Sequence, residues 1–400
     1  MKILYLILSF LSLAFPAFAQ DDPNAQFPQV EIKSPNAAAL EKYGEIPVSY
    51  HTGVPQVTIP IYEITEGSLS VPIYLSYHAS GLRVQETSSW IGAGWSLMGT
   101  GAITRTVMGL PDDNQAFGTG VFAQWFGHYS DRGYNTYVRD GNNLGTDGPN
   151  GQPQYISFQG VARNFADGEP DRYYIKVPGF SGEFYFNDDQ QAIFEPVSDV
   201  RVKPYRSREK GFYRWEVTLP NGTRYIFGQE EGKEVTRGEK SYPFYENQTG
   251  NPSFHAATTS WMLTKIESAD REDVIDFKYE EEKYGYHTFS AGGVSRSDNP
   301  PVVRIKNSVA GWRLSEIAFS QGKVRLVPGS SPREDLSDFE VAAQGTIGDD
   351  PNTQAYPLGA IEVLNDQGNC QRRFSLSTSY FYDGSAREPR GVYQIVVRRL

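Results

Sequence analysis

The sequence predicts an all-β fold: repeated antiparallel hairpins forming a large curved sheet or partial shell, with one short N-terminal helix. Three observations predict it. Tyr (25) and Phe (23) are abundant and favour strands, while 39 glycines supply turns. The pattern strand, tight turn, strand recurs from Tyr173 to Leu376. Long helix-forming stretches are scarce.

The chain opens with a targeting signal. Lys2 precedes an apolar run from Ile3 to Phe15, Pro16 breaks it, and Ala17-Phe18-Ala19 supplies a small-x-small cleavage pattern. The run is shorter than the roughly 20 residues that span a bilayer. Residues 1–19 are therefore read as a cleavable signal peptide, placing the mature chain at the cell surface or in the medium, and no later stretch reads as a transmembrane segment. Residues 20–45 form a polar, exposed leader. Asn36 to Tyr43 is its helix candidate, started by Ser34-Pro35-Asn36 and stopped by Gly44.

Residues 46–108 form an N-terminal β region. Pro47–Tyr50, Val57–Tyr62 and Ser70–Tyr77 read as strands, with Ile73, Leu75 and Tyr77 on one face and with Pro60 and Pro72 at strand ends or edges. Residues 109–170 are a long, polar, glycine-studded insertion or lip. Residues 171–400 are the hairpin-repeat region. Its hairpins pair Tyr173–Val177 with Glu183–Phe186, Trp215–Leu219 with Arg224–Phe227, and Trp261–Ile266 with Val274–Tyr279. Leu314–Phe319 pairs with Lys323–Leu326, and Ala360–Leu364 with Gln371–Leu376. Pro220-Asn221-Gly222 is the strongest turn signal among them. A lone hairpin cannot bury its apolar face, so these hairpins must join in a larger sheet. The run Gly391 to Leu400 reads as a strand in progress, an expectation that the polypeptide continues.

A net charge of −11 disfavours binding to nucleic acid phosphates. The single cysteine, Cys370, allows no internal disulfide and is read as a small strand filler. Nucleophile elbows, phosphate-binding loops and His-Glu-x-x-His motifs are missing, and no cofactor is called for. His51, His78, His128, His255 and His287 show no ligand spacing. Asp167, Glu169 and Asp171 alternate in a turn and are weak calcium candidates, alternatively a solvated turn. Asp112-Asp113 and Asp349-Asp350 are weaker still. Glu280 to Lys283 reads as a solvated edge after a strand ending at Tyr279. Trp125, Tyr129, Tyr134 and Tyr137 in the insertion are packing or binding residues.

One string ties the N-terminal region together. Val71 to Gly81 is followed by Gly92-Ala93-Gly94-Trp95-Ser96-Leu97 and then Ile103-Thr104-Arg105. Gly92 and Gly94 can take positive φ or admit close backbone approach, Trp95 can bury its ring, and Arg105 can pair with a buried carboxylate or face solvent. The string resembles the N-terminal region of bacterial exported Rhs/YD-repeat proteins and of the B component of insecticidal toxin complexes. The phrases Ser34–Gly44 and Gly53–Pro60 resemble those preceding it in exported members. True Tyr-Asp repeats are missing, Tyr382-Asp383-Gly384 being a single instance, as is a C-terminal self-cleavage region. The resemblance implies the pre-repeat part of a hollow β-shell. Its implied partners are the remaining C-terminal part of the same or an adjacent polypeptide and an encapsulated effector. The expected function is thus a non-catalytic scaffold segment. A carbohydrate- or protein-binding adhesin and an extracellular hydrolase stand as alternatives.

Overall fold

The computed structural model describes residues 56–78, 86–108, 111–113, 170–187, 190–207, 210–245, 257–291, 302–340, 350–381 and 395–399. Among them the chain forms strands and no helix, in antiparallel sheets. The leader helix, the strand at 47–50 and the aromatics of the insertion lie outside the described residues.

The small sheet contains β1 (Gln56–Glu66), β2 (Leu69–His78) and β3 (Trp95–Met98), in that order. Pro60 lies on its edge strand beside a break in register. Pro72 lies on β2 beyond the reach of β3, which pairs only with residues 74–77. Both prolines thus sit where no second neighbour needs their missing amide hydrogen.

The large sheet has 14 strands. One arm comprises β4 (Ala102–Thr106), β5 (Arg172–Val177), β6 (Phe180–Phe186) and β7 (Ala192–Glu195). A second comprises β8 (Arg201–Ser207), β9 (Gly211–Thr218) and β10 (Arg224–Gly228). The remainder is β11 (Gly238–Tyr245), β12 (Ala257–Glu267), β13 (Val274–Ala291), β14 (Val302–Phe319), β15 (Gly322–Pro328), β16 (Leu358–Asn365) and β17 (Cys370–Ser375). Strands β18 (Ser377–Phe381) and β19 (Ile395–Arg399) form a separate pair.

All the hairpins expected between Tyr173 and Leu376 form, as β5–β6, β9–β10, β12–β13, β14–β15 and β16–β17. Strand β12 is the junction. Its first half pairs with β11 and β4, and its second half with β10 and β13. Because β13 pairs with β14, and β14 with β11, strands β11 to β14 close a circuit.

Alternation gives this sheet two unlike faces. Phe277, Ile317, Val324 and Val363 form one cross-strand row on the inner face. Lys278, Glu316, Arg325, Glu362 and Arg373 form the neighbouring row on the outer face, with charges alternating across β13 to β17. Lys278 and Lys323 both reach Glu316, at 2.8 and 2.9 Å, and Arg325 and Arg373 both reach Glu362. The small sheet packs on the inner face, so its Ile61, Ile64, Val71, Ile73 and Leu75 join one core with the large sheet. The Glu66 carboxylate accepts the Ser320 amide, Asp273 accepts the Ser68 amide, and the Tyr62 ring stacks on Phe319.

Two sequence expectations are overturned here. The strand expected to end at Tyr279 runs on to Ala291, so Glu280 to Lys283 lie within β13 and Glu282 is buried. Glu282 lies on the face of β13 that carries Tyr284 and Tyr286, and Leu336 and Ala355 cover that face in a second, smaller core. Cys370 is exposed at the start of the outermost strand, not a buried filler.

Trp215 is fully buried against Phe212, Phe186 and Trp261. Trp215→Ala is expected to lower stability by about 3–5 kcal/mol. Lys278→Ala, in the exposed row, is expected to cost less than about 1 kcal/mol. Urea denaturation midpoints of the two variants check the contrast.

Candidate functional site

The glycine-rich turn joins the small sheet to the far end of the large one. Gly92 and Gly94 have φ of 140° and 74°, a region open to glycine and strained for other residues. A Cβ on Gly94 would lie 2.8 Å from the Tyr77 ring. The turn is closed by the Gly92 amide donating to Ser89 O and by the Ser89 hydroxyl donating to Trp95 O. Trp95 is half-buried, packed against the core and against Tyr77 with ring centroids 5.1 Å apart. Trp90 in the same turn is more deeply buried, and its carbonyl accepts the Leu358 amide of β16. No hydropathy signal marks Trp90, because its turn has no strand period.

Arg105 is buried, with 1% exposure. Its guanidinium stands 5.2 Å from the Trp261 ring centroid. It meets Asp113 at 2.5 Å and Asp171 at 3.6 Å. Of the two readings of Arg105, the buried pair is the one found. The carboxylates are occupied in turn. Asp113 Oδ2 accepts the Phe212 amide at 2.6 Å. Asp171 accepts the amides of Met108 and Asp112, and Asp112 accepts the amide of Asp171. Gly211, with φ of 63°, makes room: a Cβ there would sit 2.3 Å from Asp113 Oδ2.

Burial pushes the Asp171 carboxyl well above the usual range, against the pull of Arg105. Burial, reinforced by Asp112, likewise raises the Tyr173 phenol well above its ordinary value. Tyr173 stacks on Phe184 at 5.1 Å between ring centroids and meets Trp215 at a tilt at 5.3 Å. Arg105 therefore binds together β4, β5, β9, β12 and the residues on either side of 114–170. Asp112 and Asp113 were weak candidates in the sequence, and the boundary drawn at 109 cuts through this cluster. Asp167 and Glu169 lie outside the described residues. Among the described residues no group of three or more His, Cys, Asp or Glu side chains is placed to hold a metal.

A second polar cluster was missed by sequence reasoning. Arg333, 3% exposed, donates to Ser88 O at 2.6 Å and to Asp335 at 2.7 Å. Glu282 and Glu239 are buried on the two strands flanking Gly311, and Arg313 donates to Glu280. On the opposite face Lys306, fully buried, crosses Gly285 to reach Asp338 at 2.7 Å. A cavity of about 130 Å³ also lies between the small sheet and the β5–β6 turn, lined by Pro72, Tyr74, Leu97, Met98, Thr100 and Lys176 among others. Burial brings the Lys176 ammonium down to about 8.

Comparison with family models and with curated proteins finds no match. Functional inference therefore rests on the geometry of this chain. In the Arg105 cluster the carboxyl groups hold backbone amides beside aromatic rings, an arrangement that fixes strand ends.

Arg105→Met leaves the surrounding carboxylates without their cation and is expected to cost at least about 3–5 kcal/mol. Gly211→Ala, strained in φ and driven into Asp113, is expected to destabilise as well, whereas Gly179→Ala meets nothing within 4 Å and pays only for its φ of 82°. Thermal melts of the three variants check the order.

Proposed function

We propose that this chain is a non-catalytic wall segment of an exported, Rhs/YD-repeat-like shell, and that its partners are further polypeptide of the same assembly and a cargo enclosed by it. The observation that supports this reading most is the two-faced, hairpin-built large sheet: aromatic within, laced with alternating charge without, and continuous over 14 strands. A wall needs an outer face that stays in water and an inner face that binds the next layer. The outer charge row supplies the first and the packing of the small sheet shows the inner face's capacity for the second. The buried ionic clusters fit the same role, because they tie distant strand ends together. Export by the N-terminal signal belongs to this proposal. No described helix is long and apolar enough to cross a membrane.

The test is cross-linking mass spectrometry on the tagged chain expressed in its own host with its neighbouring genes. Cross-links from the β16–β17 end to an adjoining Rhs-like polypeptide are the expected result. Recovery of the chain alone, together with turnover of a polysaccharide, peptide or ester substrate by the purified material, would overturn the proposal.

A further inference from the structure

The outer face of β13 to β17 carries its charges at two depths. Glu316 on β14 and Glu362 on β16 lie low, with side chains 15% and 12% exposed. Each is met by two cations that solvent reaches more freely. Lys278 and Lys323 pair with Glu316, and Arg325 and Arg373 with Glu362, the four side chains being between 31% and 60% exposed. Burial alone would raise the Glu316 carboxyl, yet the two lysines hold it below the usual range, so it keeps its charge. Two carboxylates thus cancel half of four cations, and the surface that solvent meets is positive. The adjoining pairs Lys265–Asp276 and Arg313–Glu280 balance one for one and bound the patch. On a chain of net charge −11 the patch reverses the prevailing sign.

The cations follow the sheet's own spacing. Lys278, Arg325 and Arg373 share one cross-strand row on β13, β15 and β17, so they recur at about 10 Å. Lys323 lies beside the row, two residues from Arg325 on the same face of β15. Such a ladder suits a repeating anion. Protein interfaces are built round an apolar core, and none of the exposed large hydrophobic side chains among the described residues, Val57, Val197, Val235 and Phe289, belongs to the row. Neighbouring strands are rotated by about 20–25°, so five strands turn the row through about 80–100°, which a flat lipid surface cannot follow and a flexible chain can. A stiff, densely charged duplex is repelled by the net charge. Guanidinium forks match carboxylates, and Glu362 already draws on both arginines of the row. From this ladder we infer that the outer face of β13 to β17 binds a linear acidic polysaccharide, taking its carboxylates in succession along Lys278, Arg325 and Arg373.

Binding of the full chain to immobilised polygalacturonate, a linear polyuronate, tests the inference. Binding at low salt that weakens as salt rises is the expected result. Arg325→Gln combined with Arg373→Gln should weaken it about tenfold and flatten its salt dependence. Lys233→Gln combined with Lys240→Gln makes the same change in net charge at exposed positions outside the row and should leave binding as it was. Because Arg325 and Arg373 also brace Glu362, the unaltered chain supplies a second readout: the polymer should slow acetylation of Lys278 and Lys323 and leave that of Lys233 and Lys240 unchanged. Failure to bind at low salt, an equal loss in both paired variants, or acetylation of Lys278 and Lys323 unmoved by the polymer would overturn the inference. Equal binding of neutral dextran, polyglutamate, duplex DNA or anionic vesicles would overturn it too.

Discussion

Burying Arg105 constrains the rest of the structure. A guanidinium keeps its charge at any pH the protein meets, so its place in the core must be matched by carboxylates and hydrogen-bond acceptors. Those carboxylates are Asp113 and Asp171, which lie on either side of the stretch 114–169, and Asp112 beside them accepts the Asp171 amide. Each carboxylate in turn fixes backbone amides at Met108, Asp112, Asp171 and Phe212. The aromatic rings close the arrangement. Trp261 lies against the guanidinium and donates its indole hydrogen to Phe212 O at 2.8 Å. Charge, backbone and rings specify one another here, which is how a wide sheet with many hairpins acquires a single register at its junction strand.

The same logic extends outward with weaker forces. Alternating charges across β13 to β17 contribute little each, since exposed ion pairs are worth about 0–1 kcal/mol. Their effect is on specificity. A one-residue slip of β15 would turn Arg325 and Lys323 into the core and Val324 into solvent. The charged outer face also discourages face-to-face stacking of copies. Inner and outer rows therefore enforce one register from opposite sides, the inner by burial and the outer by the cost of burying charge.

Much of this was legible in the sequence. The hairpins were, because each combines a period-two apolar pattern with a turn residue suited to its geometry, as at Asn221-Gly222, where Gly222 has φ of 88°. The roles of Gly92, Gly94 and Arg105 were legible as types of role. Their partners were not: Arg105 finds Asp113 eight residues on, but the Asp171 beside it is 66 positions away, and nothing local announces a contact of that span. The Glu280–Lys283 run misled for a different reason. Consecutive charges read as solvated because a lone strand has no way to bury them. Here the circuit of β11 to β14, with the 333–338 segment against it, puts Glu282 inside. Burial of a charge is decided by tertiary neighbours, and propensity carries no trace of it.

Acidic residues in this chain divide by what holds them. The carboxyl groups around Arg105 accept hydrogen bonds from backbone amides, which commit their oxygens to fixed geometry even where burial, as at Asp171, pushes the carboxyl well above the usual range. A group so committed serves structure. Glu282 is buried on β13, and burial pushes its carboxyl up to about 7 against the pull of Arg313 and Arg333. Both environments follow from one circumstance: a broad sheet covered by a second layer must bring strand ends and returning loops into its interior, and their polar atoms with them. Where backbone donors are at hand, the acid becomes a brace. Where burial dominates, as at Glu282, the carboxyl is pushed toward its neutral form.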